Sequence, residues 1–308
     1  NADFVNVHGL ALDQQSEAEI LAAVEEQFDL VWFSKLRTAN YFRRAQWRGS
    51  VVDIDDLPSS ASISRGKLAN WSVRTKNWAW NQAIRLHERR LARRFDVLAV
   101  CSEADREILG GHRDIRVIPN GFERPGSEPP RDPMDPPRIG FIGLMDYEPN
   151  RDGVRWFLEH CWSQLRDKIP GIRFRLAGKG AEDAQMSSVP GVDTLGWVED
   201  ATAEVATWSL MVIPIRCGAG TRIKIADTFS RKCPAVSTHI GAYGYQLEDG
   251  RQLRLADTPE DFVRACLSVL RDPEGARAMA DRAWSDFLEK WSWEAIASSV
   301  RETVEEGF

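Results

Sequence analysis

Cys217-Gly-Ala-Gly-Thr-Arg-Ile-Lys-Ile-Ala-Asp227 follows the apolar run Leu210-Met-Val-Ile-Pro-Ile215, and this pairing decides how the chain is read. The run predicts a buried strand and the residues after Arg222 an amphipathic helix, so the glycines fall at a strand-to-helix turn. Gly218 and Gly220 leave backbone amides open to a ligand. A helix N-terminus just beyond adds its partial positive charge, and Arg222 and Lys224 add full charges. The stretch predicts a phosphate cradle, with a tight turn bearing solvated cations as the plain alternative.

Working outward, strand and helix patterns alternate on both sides. Toward the N-terminus, Ser16 to Gln27 has helical periodicity and Phe28 to Phe33 reads as a buried strand. A basic, aromatic helix over about Lys35 to Trp47 leads to strand Ser50 to Ile54, which runs into Asp55-Asp56-Leu57-Pro58. Asp53 and Asp55 share one strand face by the period-2 rule, at the carboxyl end where open α/β sheets bind ligands. Turn and cap duty is the bland reading of the same carboxylates. One or two helices fill Ala61 to Phe95, Asp96 to Cys101 is a strand, and Ser102 caps a short helix over Glu103 to Leu109. Ile115 to Gly121 gives a fourth strand and its turn.

Six prolines between Pro125 and Pro137 mark an extended interdomain linker. The alternation then restarts with strand Arg138 to Ile142, helix Arg151 to Leu165 with Asn150 as its N-cap, and strands at Arg173 to Ala177 and Thr194-Leu195. After the opening stretch come strand Pro234 to Ser237 and helices from Pro259 onward. Such alternation predicts parallel sheets covered by helices, in two α/β units.

The bulk properties fit two soluble domains. The chain has 308 residues, 28% charged and 43% hydrophobic, with no apolar run of the ~20 residues that span a bilayer. Net charge is −6 and gives no reason to expect nucleic acid. The charge is uneven, however: residues 35 to 124 hold 18 Lys/Arg against 10 Asp/Glu, a solvated face or a contact with an anionic surface. Cys101, Cys161, Cys217, Cys233 and Cys266 are scattered through apolar surroundings without a Cys-x-x-Cys pair, which predicts reduced core thiols, no metal site and a cytoplasmic location. No Ser/His/Asp or Cys/His set stands at a spacing that suggests hydrolase chemistry. His8, His87, His112 and His160 have no partner pattern.

Taken in order, Ile118-Pro-Asn-Gly-Phe122, Phe141 to Asn150, Leu176-Ala-Gly-Lys-Gly180, Leu195-Gly-Trp197, the opening stretch and Pro234 to Gly244 resemble the group 1 type C-terminal domain of family 4 retaining glycosyltransferases. The resemblance implies the GT-B fold: two Rossmann-like domains facing a cleft. Residues 1–124 would form an acceptor-side domain, 125–137 the linker, 138–290 the nucleotide-sugar domain and 291–308 a helix returning to the first. It implies a metal-independent transferase, without a cofactor, that moves a hexose or related sugar from a nucleoside diphosphate donor to an acceptor hydroxyl in glycan or polysaccharide assembly. Gly143 would lie against donor phosphate or sugar, with Asn150 near the sugar hydroxyls. Trp197 and Val198 would sit beside the base. Gly218, Gly220, Thr221, Arg222 and Lys224 would hold the diphosphate, assisted by Lys179 or Arg151, and Asp227 would meet the ribose. Asp53, Asp55 and His239 are the candidates for chemistry at the cleft.

The chain departs from the family in three places. The family's Glu-x7-Glu pair is incomplete here: Asp227 stands for its second member, and Gly220, six intervening residues before it, brings no carboxylate, so the first is missing. Leu144 and Met145 follow Gly143 where an Arg often stands. The expected opening strand, glycine loop and helix do not precede Phe28, which reads as a fragment or a shortened first domain whose open sheet edge a homodimer would cover. A glycan or lipid-linked acceptor, and contact with the inner face of the membrane, fit the basic stretch. A catalytically weak nucleotide-sugar-binding or regulatory subunit, and a nucleotide-sugar epimerase, are the competing readings.

Overall fold

A computed structural model of the chain describes residues 11–42, 49–60, 71–110, 114–182, 184–218 and 220–307. The end of the helix expected to reach Trp47, the start of the segment from Ala61, His8 and His112 lie outside the described residues. Two compact units emerge. The first is Asn1–Asn120 with Gly218–Thr221 and Ile296–Phe308, and the second is Gly121–Cys217 with Arg222–Ala295.

In the first unit, α1 (Gln14–Glu25) starts where Asp13 Oδ1 accepts from the amides of Gln15 and Ser16, both at 3.0 Å. Four strands follow, β1 (Val31–Ser34), β2 (Ser50–Ile54), β3 (Val97–Val100) and β4 (Ile115–Val117), with α2 (Leu36–Ala39), α3 (Trp71–Ala92) and α4 (Glu103–Leu109) between them. They form a parallel sheet in the order β1-β2-β3-β4. The long helix expected from Lys35 is only one turn here: Lys35 has φ 75°, and the chain turns again at Asn40 and Tyr41. Ser102 caps α4 as its sequence predicts, accepting from Asp105 N at 3.1 Å. Val52, Ile54, Leu98 and Val100 build the core of this unit with Phe33 and Phe95.

The second unit holds β5 (Arg138–Ile142), α5 (Glu148–Phe157), a π turn over Leu158–Trp162, α6 (Ser163–Lys168), β6 (Arg173–Ala177), α7 (Ala184–Ser187) and β7 (Val192–Gly196). Then come α8 (Ala201–Ala206), β8 (Leu210–Ile213), α9 (Ile223–Ser230), β9 (Ala235–Ser237), β10 (Arg254–Leu255), α10 (Pro259–Arg271) and α11 (Pro273–Lys290), and α12 (Trp293–Gly307) ends the chain. Six parallel strands run β10-β9-β8-β5-β6-β7. Aromatic rings pack the core on one face: Phe157 lies 5.1 Å from Phe174 and 5.9 Å from Phe262, centroid to centroid. All five cysteines are free and buried, as their apolar surroundings predict.

The proline-rich stretch is not a free linker. It belongs to the second unit and is tied to the end of α8: Asp132 N donates to Ala206 O at 2.9 Å and Met134 N to Thr207 O at 3.0 Å. Arg131 reaches the carbonyls of Val205, at 2.7 Å, and of Trp208. Those carbonyls lie at and just past a helix C-terminus, the end that favours a cation.

Candidate functional site

In the second sheet the sequence order reverses between β5 and β8, and the carboxyl ends of strands at such a reversal form the usual crevice for a ligand. Lys224, in the first turn of α9, reaches across it. Its Nζ donates to the carbonyl of Ile142, the last residue of β5, and lies 4.3 Å from the Phe141 ring centroid. A Cβ at Gly143 would stand 2.6 Å from Lys224 Nζ and 2.9 Å from Asn150 Nδ2, so only glycine fits without displacing them. Gly143, Asn150 and Lys224 thus come together.

Asn150 is not the expected N-cap. Tyr147 occupies that position, and Asn150 sits buried inside α5, where its Nδ2 donates to Leu144 O at 2.8 Å and braces the loop. Lys179 contributes its backbone, accepting from Met145 N at 2.9 Å, and keeps its side chain exposed. Arg151 reaches Met145 O at 3.5 Å.

The electrostatics of α9 run against its own dipole. No side chain caps the helix, its first turn has no acid, and Lys224 puts a cation where the dipole is already positive. Arg222, the N-cap residue, donates to Ile240 O at 3.4 Å and to Cys217 O at 3.5 Å. An anion bound here would relieve the opposed charge. Burial pushes the Lys224 ammonium down to about 8, and Asp227 opposes the shift. The folded chain therefore sheds this proton between about 8 and the ordinary lysine value near 10.5, so this residue makes the fold more stable as pH rises through that window. Anion binding runs the other way. Pyrophosphate affinity measured by calorimetry should fall as pH is raised through about 8, and a flat profile would remove the ammonium from anion binding.

Asp227 Oδ1 accepts from Arg231 at 2.9 Å, an i,i+4 pair, and Arg231 also holds the Thr202 hydroxyl. Trp197 follows β7 with 78% of its surface exposed, and Val198 packs against the cluster of Ala177, Val205, Trp208, Met211 and Cys233. His239 follows β9. Asp257 grips it twice, accepting its backbone amide at 2.9 Å and facing its Nδ1 at 2.8 Å.

Gly218, Gly220 and Thr221 group with the first unit. Gly220 has φ 69°, and Asp56 Oδ1 lies well inside contact distance of where its side chain would begin. A side chain at 220 is excluded on both counts. Thr221 N donates to Cys101 Sγ at 3.4 Å, and Cys101 Sγ donates to Asp55 O at 2.9 Å. Asp55 lies beyond the end of β2, not on a strand face with Asp53, and its Oδ1 accepts from Asn120 at 2.7 Å. Burial, then the charge of Asp55, raises the Asp53 carboxyl above its ordinary value, while a hydrogen bond with Trp32 opposes the shift. Sequence reading missed Asp257 and Arg231. The i,i+4 spacing could have revealed Arg231, whereas Asp257 lies 18 residues from His239 with no local signal. Among the described residues no group of three or more His, Cys, Asp or Glu is placed to hold a metal ion, and no helix is long and apolar enough to cross a membrane.

Residues 136–272 match the family model described as glycosyl transferases group 1. An uncharacterized 44.6 kDa protein in the cps region of Klebsiella pneumoniae is 23% identical over 170 residues, which cover 52% of this chain and 44% of that protein. The match thus spans less than half of that relative. Among solved structures, sucrose-phosphate synthase from Thermosynechococcus elongatus is similar with a TM-score of 0.69 at 15% identity, over 94% of this chain and 76% of that one. TarM gives a TM-score of 0.70 at 14% identity, over 92% and 57%. HepE from Anabaena, solved in complex with UDP, gives 0.68 at 15% identity, over 94% and 82%. The two parallel α/β sheets are those of the GT-B fold, and the family match over residues 136–272 supports a group 1 glycosyltransferase.

Proposed function

We propose that this chain is a retaining glycosyltransferase that moves a hexose from a nucleoside diphosphate donor, with UDP as the carrier, to an acceptor hydroxyl in glycan or polysaccharide assembly. The observation that carries the reading is Lys224 in the uncapped first turn of α9, touching the end of β5 at the sheet's order reversal. Transfer from such a donor releases a diphosphate, and pre-placed cations and helix amides stabilise the charge that develops on it. Lys224 and Arg222 supply those cations, so no bound metal is required. The leaving phosphate itself takes the acceptor proton on the face from which it departs, which retains the anomeric configuration. The similar HepE was solved with UDP and glucose and with UDP-glucose, which favours a UDP-sugar donor.

Trp197 serves as the platform for the base. Trp197→Ala should leave the melting temperature unchanged, since the indole is exposed, and weaken UDP binding by about 1–3 kcal/mol, the usual worth of base–aromatic stacking. Equal calorimetric affinities for the two proteins would take the indole out of the site. Incubating the chain with a panel of UDP-sugars and glycan or lipid-linked acceptors tests the activity itself. Thermal stabilisation by UDP without turnover on any of them would favour the second reading, a nucleotide-sugar-binding subunit. The missing first carboxylate of the family's pair and Asp227, engaged by Arg231, are the features on its side.

A further inference from the structure

The His239–Asp257 pair is built more carefully than its contribution to stability warrants. Both side chains are more than half exposed, at 65% and 57%, and an exposed ion pair stabilises a fold little. Yet Asp257 fixes the histidine at two points, one oxygen on the backbone amide at 2.9 Å and the other on Nδ1 at 2.8 Å. When the ring is neutral, a carboxylate at Nδ1 holds the proton there and leaves Nε2 as the acceptor. Nearby, Asp249 is paired with Arg254 at 2.9 Å.

The place of the pair in the sheet gives this acceptor a task. His239 stands at the carboxyl end of β9, one strand beyond β8 and the crevice. Its turn is locked to that neighbourhood: Thr238 Oγ1 donates to Ile215 O beyond β8, Gly241 N donates to Thr238 Oγ1 at 2.8 Å, and Arg222 donates to Ile240 O at 3.4 Å. Arg222 and Lys224 already serve the diphosphate. A neutral Nε2 offers a phosphate oxygen nothing, since both are acceptors, but it suits a hydroxyl.

We infer that Nε2 of His239 accepts a hydrogen bond from a hydroxyl of the transferred sugar, and that Asp257 is the positioning residue that fixes the ring for it. The inference rests on the donor reading above and names the part of the donor that this turn recognises. Its signature is a split between two ligands. Asp257→Asn and His239→Ala should bind UDP as the unaltered protein does, while the KM for the UDP-sugar rises roughly three- to tenfold, the worth of one neutral hydrogen bond. Nitrogen-15 NMR of the histidines should show the Nδ1–H form of His239 in the unaltered protein and a mixture of tautomers in Asp257→Asn. Equal loss of UDP and UDP-sugar affinity would assign the pair to the phosphates or to folding and overturn the inference. So would a KM that stays unchanged in both variants. If the unaltered protein binds no UDP at all, the donor reading fails first, and the NMR tautomer alone would then record only the local geometry.

Discussion

Lys224→Met is expected to weaken UDP binding by about 1.5–3 kcal/mol, roughly tenfold to more than a hundredfold, the worth of a hydrogen bond to a charged group. Methionine keeps most of the apolar stem and removes the ammonium, which lies over the Phe141 ring. The fold should not suffer, because burial already disfavours that charge enough to bring it down to about 8. A variant that binds UDP poorly yet melts no lower than the parent would show a residue kept for its ligand at some cost to stability. Calorimetric titration with UDP decides the matter, and an affinity within twofold of the parent would remove Lys224 from the phosphates.

The second large effect is expected from Gly178→Ala. Gly178 has φ 122°, a conformation that alanine resists, and its added methyl would be driven into the carbonyl of Gly143, with the carbonyl carbon 2.7 Å away. The backbone has little freedom to yield, because Gly143 N donates to Ala177 O at 3.0 Å and Gly178 N donates to Gly196 O at 2.7 Å. Strain and overpacking together should cost on the order of 3 kcal/mol. For a domain of this size that lowers the melting temperature by about 6 °C or more. Binding should fall as well, since the loop pushed aside carries Gly143 beneath Lys224. An unchanged melting temperature with unchanged UDP affinity would show that the β5 and β6 loops are not packed as described.

The glycine loops were legible because a backbone that must approach another backbone, or a ligand, leaves few choices of residue. Gly143, Gly178 and Gly220 each have no room for a side chain, and the alternation of strand and helix around them is strong. Caps and partners were harder to read. Asn150 looks like an N-cap in sequence, yet Pro149 stands in the first turn of α5, which places Tyr147 at the cap and turns Asn150 inward. Period-2 reasoning put Asp53 and Asp55 on one face, but β2 ends at Ile54 and Asp55 bends toward Asn120. Asp257 could not be found from the sequence, because its distance from His239 is set by the pairing of β9 with β10 and by no local periodicity.

The proline-rich segment was misread for a related reason: the composition that keeps a linker extended also suits a strap laid over a helix end. Its ties have a practical consequence for taking the second unit out of the chain. Beginning a separately expressed piece at Arg138, where the strands start, would discard Arg131, Asp132 and Met134. The carbonyls of Ala206, Thr207 and Trp208 would lose these partners together, and that of Val205 would keep only the amide of Trp208, at the foot of the strand that leads into the crevice. The match to the family begins at residue 136, but the compact unit begins at Gly121. The boundary recognisable by similarity lies inside the boundary required by hydrogen bonding.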